Sequence, residues 1–350
     1  MSINISRFYR MEKLELDCEI ITPMFLGNAS KEAELRSSPF KGVIRYWWRV
    51  ANGIEYKSYN DLLAAENRIF GSSDGSTGGK SRVKVDVLPG SSLRAVKTAF
   101  QHVGKIKHPE CNHPVDPLGY LAGMGLIHYK KGILHSYFAP GGHFTMILSA
   151  PADIMEELRS TLELLRMFGA AGSRCRNGWG SLMIHHESFI ELENVVEWKN
   201  AFEHDYPHCL GMDGTGALCW KTGDTFNSWE LCMKELAKIY VAIRAGNNQL
   251  NIQGLDVVNG TRPERHLLGY PVTHHSLQIN GWGNSGRHAS ALRLKARKEG
   301  NAFRGYILHL PHRFSDRMWP NEKERQIEIW TKVHQNLDKL CERAEYREVA

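Results

Sequence analysis

Over residues 12–21 the chain alternates, with Leu14, Leu16, Cys18 and Ile20 on one parity and Lys13, Glu15, Asp17 and Glu19 on the other. Successive strand side chains point to opposite faces, so this pattern predicts a half-buried strand. After the turn-forming run TPMFLGNAS the spacing becomes helical over 38–50, with Ser38 available as N-cap and Pro39 at the first helical position. Ile44, Trp47 and Ala51 form its apolar stripe. Lys41, Arg45 and Arg49 lie four apart and drift only about 40° per step, so the spacing predicts three cations on one face, with Trp48 beside them.

Alternation returns over 82–88, through Val83, Val85 and Val87, and over 143–150, through Phe144, Met146 and Leu148. Ile154, Leu158, Leu162 and Leu165 predict a helix over 152–168, with Asp153 and Glu156 offering a capping box, and a strand follows over 181–187. The order strand, helix, strand, strand, helix, strand is the ferredoxin-like βαββαβ arrangement of an α+β fold, the frame of RNA-recognition (RRM-like) modules. Residues 89–142 dissolve into Gly, Pro and His and read as an insertion.

Later, a helix over 226–245 is followed by alternation over 290–297, which sets Leu292, Leu294 and Ala296 against Arg293, Lys295 and Arg297. KEGN turns this strand into a partner over 303–310, and a final helix over 321–344 buries Ile327, Trp330, Leu337 and Leu340. No closing strand is read after it.

Two segments carry candidate chemistry. The run GAAGSRCRNGWGS at 169–181 has four glycines, two arginines, a tryptophan and no acid. A backbone that free of side chains can approach a polyanion while Arg174 and Arg176 neutralise charge, so the loop is a candidate cradle for a nucleic-acid backbone. It follows a helix and precedes a strand, the reverse of the dinucleotide fingerprint. The run RIFGSSDGSTGGK at 68–80 nearly spells a phosphate-binding loop, but three residues instead of four separate Gly75 from Gly79 and a strand follows, which excludes it. KHPECNHP offers His108, Cys111 and His113 without an evident fourth ligand, so no metal is expected.

Composition changes this picture little. The chain of 350 residues suggests two domains, and 44 Lys+Arg against 38 Asp+Glu give +6, which permits nucleic-acid contact without demanding it. Seven cysteines without CxxC pairs fit reduced thiols. No long apolar window and no hydrophobic leader core occur, so a cytoplasmic protein without a membrane partner is expected.

The runs TPMFLG, ELR at 34–36, FKGVIRYWWR at 40–49 and GSRCRNGWGS at 172–181 resemble the RAMP superfamily of CRISPR-associated RNA-binding proteins. With RHASALRL at 287–294 and GYILHLP at 305–311, they are similar more narrowly to the first subunit of the type III-B Cmr effector. The resemblance implies two ferredoxin-like domains, placed at 1–190 and 191–350; with no closing strand read after the final helix, the second is expected to be incomplete or permuted. It implies a non-catalytic, cofactor-free subunit that contacts guide RNA near its 3′ end, target single-stranded RNA, and other Cmr subunits, above all the neighbouring RAMP subunit. The expected RNA contacts are Arg36, Lys41, Arg45, Trp48 and Arg49; Gly169, Gly172, Ser173, Arg174, Arg176, Asn177, Gly178, Trp179 and Gly180; and Arg293 and Lys295. Two alternatives stay open. One is a guide-processing endoribonuclease using His185 or His186, of which a strand can present only one to a site. The other is an assembly scaffold without RNA contact, with 247–288 as docking surface.

Overall fold

A computed structural model describes residues 11–73, 79–109, 111–203, 208–244, 264–269, 288–313 and 322–349. Most of the 247–288 stretch lies outside these residues.

The N-terminal half is built on β1 (Met11–Ile20), α1 (Ser37–Asn52), α2 (Tyr59–Phe70), β2 (Lys84–Pro89), β3 (His143–Pro151), α3 (Ala152–Glu157), α4 (Arg159–Phe168) and β4 (Leu182–His185). Its sheet runs β2-β3-β1-β4 with every neighbour antiparallel. Leu16, Cys18 and Ile20 are fully buried on the face that packs with Phe40, Ile44 and Trp47 of α1 and with Leu162 and Leu165 of α4. No described helix is long and apolar enough to cross a membrane.

Two local expectations need correction. Helix α1 begins at Ser37 with Arg36 as an N-cap that makes no side-chain capping bond, so Ser38 is not the cap. Pro39 still falls in the first turn, where a missing N–H costs nothing. Helix α2, absent from the pattern reading, is capped by Ser58, whose hydroxyl accepts from the Asp61 amide at 3.2 Å.

The insertion is structured. It contributes the short helix Pro117–Ala122, the strand pair Ala95–Val96 with Tyr137–Phe138, and a hairpin of Ile127–His128 with Gly132–Ile133. Its Leu118 and Leu121 join Trp179 and the C-terminal half in one apolar core.

The C-terminal half comprises β5 (Cys219–Lys221), α5 (Trp229–Ala242), β6 (Leu292–Glu299), β7 (Ala302–His309), α6 (Lys323–Leu340) and β8 (Glu342–Arg343). The sheet runs β6-β7-β5-β8, again antiparallel throughout. This order repeats that of the first sheet. It also corrects the expectation of an incomplete or permuted half, because the closing strand exists. β8 is two residues long and pairs Arg343 with Trp220 and Glu342 with Lys221, too short to alternate visibly.

Candidate nucleic-acid interface

The Gly-rich loop is fastened to the segment after β1. The Thr22 hydroxyl donates to the Gly178 carbonyl at 2.7 Å and accepts from the Ser181 amide at 2.9 Å. The amides of Ser173 and Gly180 donate to the carbonyls of Phe25 and Pro23. Gly172, at φ +92°, and Gly180, at φ +61°, sit where an added Cβ would lie 2.7 Å from the Phe25 oxygen and 1.9 Å from the Ala171 oxygen. These glycines are needed for close backbone packing. The amides at Ser173 and Gly180 are therefore spent inside the protein and do not face a ligand.

What the loop presents outward is a groove of about 420 Å³ against α1. Arg36, Pro39, Gly42, Val43, Tyr46 and Trp47, spaced by three and four, line the helical wall. Gly172, Ser173, Cys175 and Arg176 line the loop wall, and Arg293 of β6 enters from the other half. Three arginines and no carboxylate line it.

Arg293 lies 4.1 Å from the centre of the Tyr46 ring and 4.9 Å from that of Trp47, and Arg176 lies 6.0 Å from Tyr46. Neither guanidinium meets a carboxylate among the described residues. Burial, with Arg293 as a like-charged neighbour, lowers the pKa of Arg176 below its ordinary value. Arg176 is thus a partly desolvated positive charge with Arg293 as a like-charged neighbour. Gly42 adds open space, since a Cβ there would meet nothing within 4 Å.

Several expected contacts stand elsewhere. Arg45 and Arg49 do share a face, but Glu66 of α2, 3% exposed, pairs with both, reaching Arg49 at 2.8 Å. Lys41 is outside the groove lining. Trp48 and Trp179 are fully buried, so neither ring can stack on a base: Trp48 packs near Tyr56 and Phe70, and Trp179 against Phe25, Phe100 and Trp229. Lys295 is also buried and donates from Nζ to the carbonyls of Gly169 at 2.7 Å and Leu182 at 2.5 Å. It is a tie between halves, and burial holds its pKa well below the usual lysine range. Asn177 donates to the Leu121 carbonyl at 2.8 Å, Gly178 is packed under Met233, and Gly169 supplies the oxygen that Lys295 uses. Arg174 is exposed in the left-handed region at φ +61°, outside the groove lining.

Of the expected residues, the groove thus gathers Arg36, Gly172, Ser173, Arg176 and Arg293. Tyr46 and Gly42 were missed, although with Arg36, Pro39 and Val43 they repeat at helical spacing. His108 turns inward with its ring 5.4 Å from Tyr120, so it forms no three-ligand cluster with Cys111 and His113 among the described residues. His186 lies past the end of β4 and stacks on Phe189 at 4.3 Å.

Residues 17–182, which include α1 and the Gly-rich loop between α4 and β4, match the model of the RAMP superfamily. Two curated proteins from one organism are similar to parts of the chain. The chain is 29% identical over 188 residues to the CRISPR system Cmr subunit Cmr1-1 of Pyrococcus furiosus, covering 53% of this chain and 51% of that protein. It is 39% identical over 85 residues to Cmr1-2 of the same organism, covering 22% of this chain and 43% of that one. The chain thus spans about half the length of these relatives or less. The crystal structure of Cmr1 from Pyrococcus furiosus in its apo form aligns with a TM-score of 0.48 at 19% identity, covering 87% of this chain and 89% of that one.

Proposed function

We propose that the chain is a non-catalytic RNA-binding subunit of a type III-B CRISPR (Cmr) effector in antiviral defence. It grips single-stranded RNA, guide near its 3′ end or target, by the phosphate backbone and docks against neighbouring Cmr subunits. Its halves, 1–190 and 191–350, act as two ferredoxin-like domains, a reading supported by the strand order that both sheets share. The naming of the Pyrococcus furiosus relatives as Cmr subunits supports the assembly role.

The observation that carries the RNA reading is the convergence of Arg176 and Arg293, from opposite halves, on Tyr46 in a groove without a carboxylate. Like charges held together away from water are costly, and an anion relieves that cost. The contacts recognise phosphate and so impose no base sequence. Two assays on the purified chain test this. Labelled single-stranded RNA of mixed sequence is expected to bind and to be recovered uncut. Cleavage by clean protein, abolished by His185→Ala, would overturn the non-catalytic reading; equal binding by wild type and an Arg176→Ala, Arg293→Ala variant would overturn the groove.

A further inference from the structure

On the face of β1 opposite Leu16, Cys18 and Ile20 stand Asp17 and Glu19. The register places His185 of β4 directly across from Asp17 and His143 of β3 directly across from Glu19. One ligand-capable atom from each of Asp17, His143 and His185 lies within 4.8 Å of the other two, and no other His, Cys, Asp or Glu group among the described residues meets that spacing. His143 Nδ1 is 3.3 Å from Asp17 Oδ1, and the two imidazoles stack with centres 5.9 Å apart. Behind them Glu19, 7% exposed, meets His185 Nε2 at 3.2 Å and is held by Lys298 Nζ at 3.0 Å.

We propose that Asp17, His143 and His185 bind a divalent transition-metal ion, with Glu19 orienting His185 from outside the coordination sphere. Two imidazoles and one carboxylate are the donor set that zinc and its first-row neighbours take, at metal–ligand distances of about 2.0–2.2 Å. Ligand atoms around such an ion stand roughly 3.5 Å apart. The observed spacing contracts to that by small rotations of three partly exposed side chains on strands whose register is already fixed. A carboxylate on the far nitrogen of a ligating histidine sets its tautomer and raises its basicity, which is the place Glu19 occupies. Three protein ligands leave a position open for water or an oxygen anion. The cluster faces away from α1, so it is separate from the arginine groove and does not depend on the RNA reading.

The test uses the full chain stripped with chelator. Cobalt(II) is followed by visible absorption and zinc by calorimetry. One equivalent is expected to bind, with affinity falling as the solution is acidified because protons compete for the imidazoles. His143→Ala and His185→Ala, both at partly exposed positions, are each expected to weaken binding at least about 10-fold. Glu19→Gln is expected to weaken it by about 10–100-fold. Because Glu19 is buried, its variant is read beside its melting temperature, and the two histidine variants carry the test if it unfolds. A His108→Ala, Cys111→Ser variant is expected to bind as wild type. Absence of saturable binding, binding that survives both histidine substitutions, or binding lost with Cys111 would each overturn the proposal.

Discussion

Arg293 sets its guanidinium 4.1 Å from the centre of the Tyr46 ring and donates from Nε to the Tyr46 hydroxyl at 3.3 Å. One contact thereby joins the middle of α1 to a strand of the other half and aims a cation into the groove between them. A cation–π contact at a partly exposed site contributes about 0.5–1 kcal/mol. Arg293→Ala should therefore cost little stability in denaturant unfolding while weakening RNA binding clearly. A loss of stability of several kcal/mol with RNA affinity intact would show that the contact is only a structural tie.

The pair Arg45 and Arg49 should behave in the opposite way. Both serve Glu66, which is buried, so replacing both with alanine strands a carboxylate out of water. Breaking a buried pair by removing one side costs about 3–5 kcal/mol. The double variant should melt markedly earlier yet keep the salt dependence of RNA binding. A normal melting temperature with a flattened salt dependence would return these residues to the RNA site.

The glycines divide by the same logic. Gly180→Ala would drive a Cβ to 1.9 Å from the Ala171 oxygen at positive φ, and is expected to destabilise the chain and disorder the loop. Gly42→Ala meets open space within α1, where alanine is favoured over glycine by about 1 kcal/mol, so stability should hold or rise. Gly42→Trp, by contrast, should fill the groove and reduce RNA binding without unfolding the chain. Circular-dichroism melts beside binding isotherms check all three.

Acid should unfold the protein through its interior histidines. Burial pushes His312 down to about 4 and His334 down to about 3. The folded chain holds both neutral, whereas the unfolded chain takes up protons below about 6.5. Stability from these groups is thus present above that value and is lost as pH falls toward 4 and then 3. Denaturant unfolding across this window should show the decline, and His312→Phe should reduce its slope by up to one proton. An unchanged slope would mean that His312 is solvated and titrates normally.

How far the sequence could be read depended on whether the cause was local. Period-two runs located β1 and β3 almost to the residue, because one face of each strand is buried and the other is not. Arg45 and Arg49 do share one helical face. What covers that face is Glu66 on α2, a partner that helix periodicity cannot announce. Trp48 was read as a base-stacking ring for the same reason; α1 is covered on two sides, so both Trp47 and Trp48 are interior. Alternation along β6 was also read correctly, yet Lys295 is buried because the cationic side of that strand packs onto the first half. β8 escaped notice because two residues carry no period. The groove had a legible signal in Arg36, Pro39, Val43 and Tyr46, one turn apart, which the tryptophans beside them obscured.

The proposed grip has Arg36, Arg176 and Arg293 holding RNA phosphates. It is tested most directly by fluorescence anisotropy of single-stranded RNA across a salt series, comparing wild type with the variant carrying all three as alanine. Each phosphate contact on a single strand contributes about 0.7 to the slope of log affinity against log salt, so the variant's slope should be shallower by roughly two, with all sequences weakened alike. Wild-type and variant slopes that coincide, in a variant that melts as wild type does, would contradict the account.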